Sequence, residues 1–216
     1  MRAVFRCDAT ADIGFGHLSR CIALAEAFRL SGMNSTFAGL FDAAAQDQIG
    51  SSGFGRIDFT DPVNSTAADG RPLAHLVTEG PSTFLIVDSY RADGSYLSGL
   101  KSLGSAVVVI DDFRALESYP CDVVLNFTWE ANSLGYPEGP ALLLGPAYFP
   151  ARRRLVELRP QSIGRQRSGR VRNLLIVIGG SDPKRIAGRL VRLLRENHSG
   201  LSLRVIAANE GDDFDA

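Results

Sequence analysis

Cysteine is scarce in this chain of 216 residues: Cys7, Cys21 and Cys121 form an odd set with no metal-type spacing. That excludes a disulfide-stapled secreted scaffold and a cysteine-ligated metal site, and it points to free thiols in a reducing cytoplasm. Cys7 and Cys21 fall on apolar segments and read as small buried hydrophobes. Long apolar runs are missing too, with none near the roughly 20 residues that cross a bilayer. The opening Met1-Arg2-Ala3-Val4-Phe5-Arg6-Cys7-Asp8 is too short and too charged for a signal peptide. Nor is there an excess of charge of either sign, since 23 basic and 24 acidic residues leave a net charge of -1. Such balance gives no bulk attraction for nucleic acid or a membrane surface, so a small substrate bound locally fits better. What is present is ordinary globular composition, 45% hydrophobic and 22% charged, in a chain long enough for one full domain and part of another.

Short apolar strands alternate with amphipathic helical stretches, the pattern of a mostly parallel sheet covered by helices. Strands are expected at Ala3 to Cys7, Asn34 to Gly39, Arg56 to Phe59, Phe84 to Asp88, Ala106 to Asp112, Asp122 to Asn126 and Ala141 to Leu144. Helices are expected from His17 to about Leu30, where Ser31-Gly32 stops the run, and at Ala43 to Ile49, Pro72 to Glu79 and Tyr96 to Leu103. Thr60 to Arg71, rich in Pro, Asn, Asp and Gly, reads as a loop. These elements suffice for a complete doubly wound domain over residues 1–150. Residues 151–170, with Arg152, Arg153, Arg154, Arg165, Arg167 and Arg170, read as a solvated basic connector, with a phosphate-facing role as the alternative. Residues 171–216 then read as one βαβ unit: strand Arg172 to Ile178, helix Lys184 to Glu196 and strand Leu201 to Ala207. A unit of about 46 residues is expected to be too small to fold alone, so it is read as part of an incomplete second Rossmann-like domain.

The segment with most chemical content is Cys7-Asp8-Ala9-Thr10-Ala11-Asp12-Ile13-Gly14-Phe15-Gly16-His17-Leu18-Ser19-Arg20-Cys21. Gly14 and Gly16 permit a tight strand-to-helix turn whose backbone approaches a ligand closely. They place His17 in the first helical turn, where the positive end of the helix dipole disfavours imidazolium. A neutral imidazole is then expected there, able to accept a proton as a general base. Gly-x-Gly alone is weak; the full string is not.

That string, Arg6-x-Asp8-Ala9-x-x-x-Ile13-Gly14-x-Gly16-His17-x-x-Arg20-Cys21-x-x-Leu24-Ala25, resembles the opening of the UDP-sugar hydrolases of pseudaminic acid biosynthesis. Further matches follow in the same order. Val87-Asp88-Ser89-Tyr90 resembles the family's Val-Asp-x-Tyr, and Ile110-Asp111-Asp112 its Ile-Asp-Asp. Asp122-x-Val124-Leu125-Asn126 and Leu144-Gly145-Pro146-Ala147-Tyr148 follow suit, as does Ile178-Gly179-Gly180-Ser181-Asp182-Pro183, the turn that opens its second domain. The resemblance runs from residue 3 to about residue 207.

The resemblance implies a GT-B-like α/β fold, with the sugar toward the first domain and UDP toward the second. It implies hydrolysis of a UDP-linked amino sugar of the UDP-2,4-diacetamido-2,4,6-trideoxy-β-L-altropyranose type, in the pathway that supplies flagellin glycosylation. His17 would activate water, UDP would leave, and the anomeric centre would invert with neither metal nor cofactor. Asp8, Gly14, Gly16, Arg20, Tyr90 and Asn126 are expected around the sugar, and Gly179, Gly180, Ser181 and Asp182 around the phosphates. Several readings stay open. Asp88, Asp111 and Asp112 either cap the following loops or serve the site. Arg20 either supports the site or pairs with a carboxylate such as Asp8. Asn126 either fixes a turn or touches substrate. His75 and His198 read as surface residues, and Trp129 and Tyr136 as cover for the core rather than sugar-stacking rings.

The family's second domain continues through strands and helices that hold the nucleotide, which have no counterpart after Ala208. The sequence is therefore expected to bind UDP weakly and turn over slowly, and to self-associate through the incomplete unit. Its partners are otherwise expected to be a UDP-sugar and water, without nucleic acid or membrane. A glycosyltransferase of similar architecture and a non-catalytic remnant are the competing readings.

Overall fold

The computed structural model describes residues 1–63, 72–77, 83–165, 169–178, 182 and 185–206. Its centre is a sheet of seven strands: β1 (Arg2–Cys7), β2 (Asn34–Gly39), β3 (Gly55–Asp58), β4 (Thr83–Asp88), β5 (Ala106–Ile110), β6 (Val123–Asn126) and β7 (Ala141–Leu144). All neighbouring pairs are parallel and the spatial order is β3-β2-β1-β4-β5-β6-β7.

Alternation along these strands sends side chains to two buried faces, as period-two geometry requires. Ala3, Phe5 and Cys7 of β1, Phe37 of β2 and Ile86 of β4 pack on one face. There they meet Leu18, Cys21, Ile22 and Ala25 of α1 (Gly16–Leu30) and Ala45 and Ile49 of α2 (Ala43–Ser51). Val4, Ala38, Leu85 and Val87 point the other way. On that side lie Leu73 of α3, helical over 72–77, and Tyr96, Leu97 and Leu100 of α4 (Gly94–Lys101). Helices thus cover both faces, which is why the strands read as near-continuous apolar runs. Asp42 and Asp93 start α2 and α4 by accepting the Ala45 and Tyr96 amides at 2.9 and 2.7 Å, the usual role of an aspartate N-cap.

The strand order places the topological switch between β1 and β4. From β1 the chain winds outward through β2 to β3, then returns to β4 on the opposite side. Loops leaving the carboxyl ends of β1 and β4 therefore diverge, and the crevice between them is where open α/β sheets bind ligands.

Two expectations change here. The basic stretch read as a solvated connector carries a helix, α5 (Arg153–Ile163), with Pro160 inside it and every residue exposed. Its start is tied to α1: Glu26 accepts the Arg153 amide at 2.9 Å and pairs with Arg152 Nη2 at 3.2 Å. Trp129, read as cover for the core, stands 86% exposed. Tyr136 does pack as expected, against the core side that holds Tyr119. The loop expected at Thr60 to Arg71 and the end of the helix expected at Pro72 to Glu79 lie largely outside the described residues.

Beyond α5, β8 (Asn173–Val177) and β9 (Ser202–Ile206) form a separate parallel pair joined through α6 (Ile186–Asn197). Among the described residues of this unit, Ile176, Ala187 and Val191 are the buried hydrophobic ones. Among the described residues no helix is long and apolar enough to cross a membrane.

Candidate functional site

The β1–α1 turn is organised by Thr10. Its carbonyl accepts the Gly14 amide at 2.7 Å and its hydroxyl the Ile13 amide at 3.2 Å. Gly14 has φ +88, a left-handed conformation that glycine enters without steric cost. This turn delivers Gly16 and His17 to the start of α1, with His17 over the carboxyl end of β1.

The His17 ring meets Asp88, the last residue of β4. Nδ1 lies 2.6 Å from Asp88 Oδ1, and the Asp88 side chain is fully buried. Parallel pairing of Cys7 with Asp88 in adjacent strands brings the two carboxyl ends together. One turn along α1, Arg20 spans two carboxylates. Its Nε and Nη2 reach the Asp88 oxygens at 2.6 and 2.5 Å, and Nη1 reaches those of Asp112 at 2.9 and 2.7 Å. Asp112 in turn accepts the Tyr90 hydroxyl. The Tyr90 ring stands edge-on to His17, centroids 4.6 Å apart. The five side chains close a circuit: His17, Asp88, Arg20, Asp112, Tyr90.

Burial and charge fix the protonation of this circuit. Burial pushes Asp88 up, but hydrogen bonds from Arg20 and His17 outweigh it and hold its carboxyl below the usual range. Burial likewise works against the Arg20 charge, and Asp88 and Asp112 more than compensate, raising its pKa. Tyr90 is pushed up to about 12, by desolvation and then by Asp112. At neutral pH Asp88 is thus a carboxylate, Arg20 a guanidinium, and Tyr90 a phenol that donates to Asp112. An ionised Asp88 directs the imidazole proton to Nδ1, which leaves Nε2 as the basic nitrogen. The helix dipole foreseen for His17 is one influence among several, because a carboxylate at 2.6 Å and Arg20 Nη2 at 3.2 Å flank the same nitrogen.

His17, Arg20 and Tyr90 line a cavity of about 530 Å³ with Gly16 and Ser19 of α1. Ile13, Phe127, Phe149, Pro150 and Leu155 give it apolar walls, and Arg152 adds a cation. The Arg20 guanidinium also stacks over Phe127 at 5.4 Å. A second cavity of about 210 Å³ is bordered by Asp8, His17, Asp88 and Tyr90. Among the described residues no three or more His, Cys, Asp or Glu are arranged to hold a metal ion.

Of the residues singled out in the sequence, His17, Gly16, Arg20 and Tyr90 come together around the larger cavity. Gly14 shapes the turn behind it. Asp8 is only 3% exposed, and its carboxylate serves the fold. It pairs with the buried Arg6 and accepts the Leu40 and Val63 amides at 2.9 and 2.8 Å. Arg20 therefore pairs with Asp88 and Asp112 and not with Asp8. Asn126 is wholly buried: its amide donates to the Tyr136 hydroxyl at 2.8 Å and its oxygen accepts the Thr128 amide at 2.9 Å, so it fixes a turn. Asp111 holds its own loop, accepting the Tyr119 and Tyr136 hydroxyls and the Phe113 and Ala115 amides. Asp182 accepts the Ile186 and Ala187 amides at 2.9 and 2.8 Å. Two of the amides at the start of α6 are thus taken by Asp182. Gly179, Gly180 and Ser181 lie outside the described residues. His75 and His198 are exposed, as expected.

Sequence reading left Asp88 and Asp112 undecided and missed Phe127, Phe149, Arg152 and Leu155 as cavity walls. A carboxylate closing one strand, next to the strand that precedes a histidine-bearing turn, was the available signal. Using it requires knowing that β1 and β4 are neighbours.

This fold is α/β and GT-B-like in its parallel, doubly wound layer. The crystal structure of Acinetobacter baumannii MurG superposes with a TM-score of 0.52 over 97% of this chain and 68% of that one, at 14% identity. At that identity the likeness speaks to fold alone. In sequence, the chain is 20% identical over 214 residues to an uncharacterized protein of Methanocaldococcus jannaschii, spanning 95% of this chain and 42% of that protein. It thus covers less than half the length of that relative. No protein-family model matches the chain.

Proposed function

We propose that this chain carries the sugar-side half of an enzyme that hydrolyses a UDP-linked amino sugar, with His17 as the general base. The observation that carries the reading is the imidazole itself, fixed through Nδ1 by a buried, ionised Asp88 at the β1/β4 switch and bordering an open cavity. Ordered motifs that resemble the UDP-sugar hydrolases of pseudaminic acid biosynthesis supply the substrate class.

In this mechanism Nε2 takes a proton from water as the water oxygen attacks the anomeric carbon. The bond from that carbon to the phosphate oxygen breaks, its electron pair leaves with UDP, and the configuration inverts. A nucleoside diphosphate already leaves readily, so positioning of water accounts for most of what the protein must supply. Asp88 stabilises the imidazolium that forms, as the buried aspartate does in other histidine-base enzymes. Tyr90, held as a phenol by Asp112, orients the sugar beside His17. The Gly16 backbone and the walls formed by Phe127 and Phe149 give the sugar ring a shaped, apolar-walled seat.

The test is release of UDP from the UDP-linked 2,4-diacetamido sugar, with product anomers followed by NMR from the first turnover. His17→Ala is expected to lower the rate by about 10²- to 10⁴-fold, the range for loss of a general base. The first-formed anomer is expected to be opposite to the substrate's. Retention, or a rate indifferent to His17, would overturn the reading. Adding sugar acceptors to the same assay separates hydrolysis from transfer: a rate that depends on acceptor assigns the chain to the transferases instead.

A further inference from the structure

Catalysis of this kind needs a positive group for the departing diphosphate, and Arg20 is poorly suited to supply it. Its guanidinium is shared between Asp88 and Asp112 through four contacts of 2.9 Å or less. Two carboxylate side chains thus surround that one guanidinium and occupy its donors, so Arg20 has little left to offer a phosphate. Besides Arg20 and the histidine itself, the cation lining that cavity is Arg152.

We infer that Arg152 is a phosphate-binding residue for the nucleotide leaving group, held in place by Glu26. This rests on the proposed function and deepens it. Glu26 pairs with Arg152, Nη2 to Oε1 at 3.2 Å, and anchors the backbone beside it by accepting the Arg153 amide at 2.9 Å. A planar guanidinium has five N–H donors in a fixed fork. Pairing with one carboxylate orients that fork, and the donors turned away from Glu26 can grip phosphate oxygens. The Arg152 side chain is 32% exposed, against 15% for Arg20, so its head is accessible where that of Arg20 is not. At the start of α5 it puts a cation on the wall of that cavity. The sugar would then sit by His17 and Tyr90 while the diphosphate turned toward α5.

Ligand-observed NMR with UDP and with uridine, on the wild-type chain and on Arg152→Gln and Arg152→Lys, tests this. UDP affinity is expected to fall about tenfold in Arg152→Gln, the loss typical of one charge-assisted contact. Partial recovery is expected in Arg152→Lys, and the uridine signal should be the same in all three proteins. Equal UDP affinity in wild type and Arg152→Gln would sink the inference, as would parallel losses for UDP and uridine or absence of UDP binding by the wild type. The His17→Ala assay is independent. Hydrolysis that requires His17 but ignores Arg152 defeats this inference alone, whereas hydrolysis indifferent to His17 defeats the function on which it rests.

Discussion

Asp88 joins structure and chemistry at a single side chain. It accepts from His17 and Arg20, takes the Cys21 thiol at 3.5 Å, and has no exposure. Replacing it with asparagine keeps its volume and removes its charge. The amide no longer enforces the Nδ1–H tautomer, so Nε2 loses its assured lone pair. Turnover by Asp88→Asn is expected to fall about 10²- to 10⁴-fold, as it does when a triad aspartate is made neutral. UDP affinity should change little, because Asp88 faces no phosphate in this arrangement. A second consequence separates positioning from mere packing. The pH–rate profile of Asp88→Asn is expected to differ in shape from that of the wild type, because a carboxyl that Arg20 and His17 hold below the usual range is gone. A pH–rate profile that keeps its shape while the whole curve drops would show that Asp88 only stabilises the fold.

At the scale of elements, two glycines near the site do opposite work. Gly39 ends β2, where an added Cβ would lie 1.8 Å from the Cys7 carbonyl oxygen and 2.9 Å from its carbon. That neighbour is β1 backbone, which cannot turn aside. Gly16 opens α1 and would meet nothing within 4 Å, although it lines the cavity. Gly39→Ala is therefore expected to destabilise the protein by about 3 kcal/mol in urea unfolding, in the range of strained or overpacked sites. Gly16→Ala should leave the unfolding midpoint unchanged or slightly raised and instead increase KM for the sugar nucleotide. Equal unfolding midpoints for both variants would contradict this division.

The same elements show what was legible beforehand. Strands β2 and β7 fall where apolar runs between turn residues put them, and the others lie within a residue or two, because a doubly covered parallel sheet leaves continuous hydrophobic strands. Helix α5 was not legible, since its residues are charged and exposed and Pro160 interrupts the usual pattern. His17 was legible from its glycine turn. Its partners Asp88 and Asp112 were not, because strand order, which puts β4 beside β1 and β5 next beyond it, is written in no local motif.

Over the whole molecule, burial is unevenly shared. Strands β1, β4 and β5 are flanked on both sides and covered on both faces, and most of their residues are buried. In the β8–α6–β9 unit, Leu175, Val177, Ile186, Leu193 and Ile206 are each at least 45% exposed. Apolar contact is what closes backbone hydrogen bonds against water, so opening should cost far less in this unit than in the large sheet. Hydrogen exchange followed by mass spectrometry is expected to show residues 173–177 and 202–206 exchanging at least tenfold faster than residues 2–7 and 83–88 at neutral pH. If Arg152 receives a phosphate as inferred, saturating UDP should slow exchange at the start of α5, through the Glu26 tie to α1, and leave β8 and β9 unchanged. Protection of β8 and β9 equal to that of β1 and β4 without ligand would mean that their apolar side chains are covered in solution. The natural suspect would then be a second copy of the chain, and protection that falls on dilution would identify it.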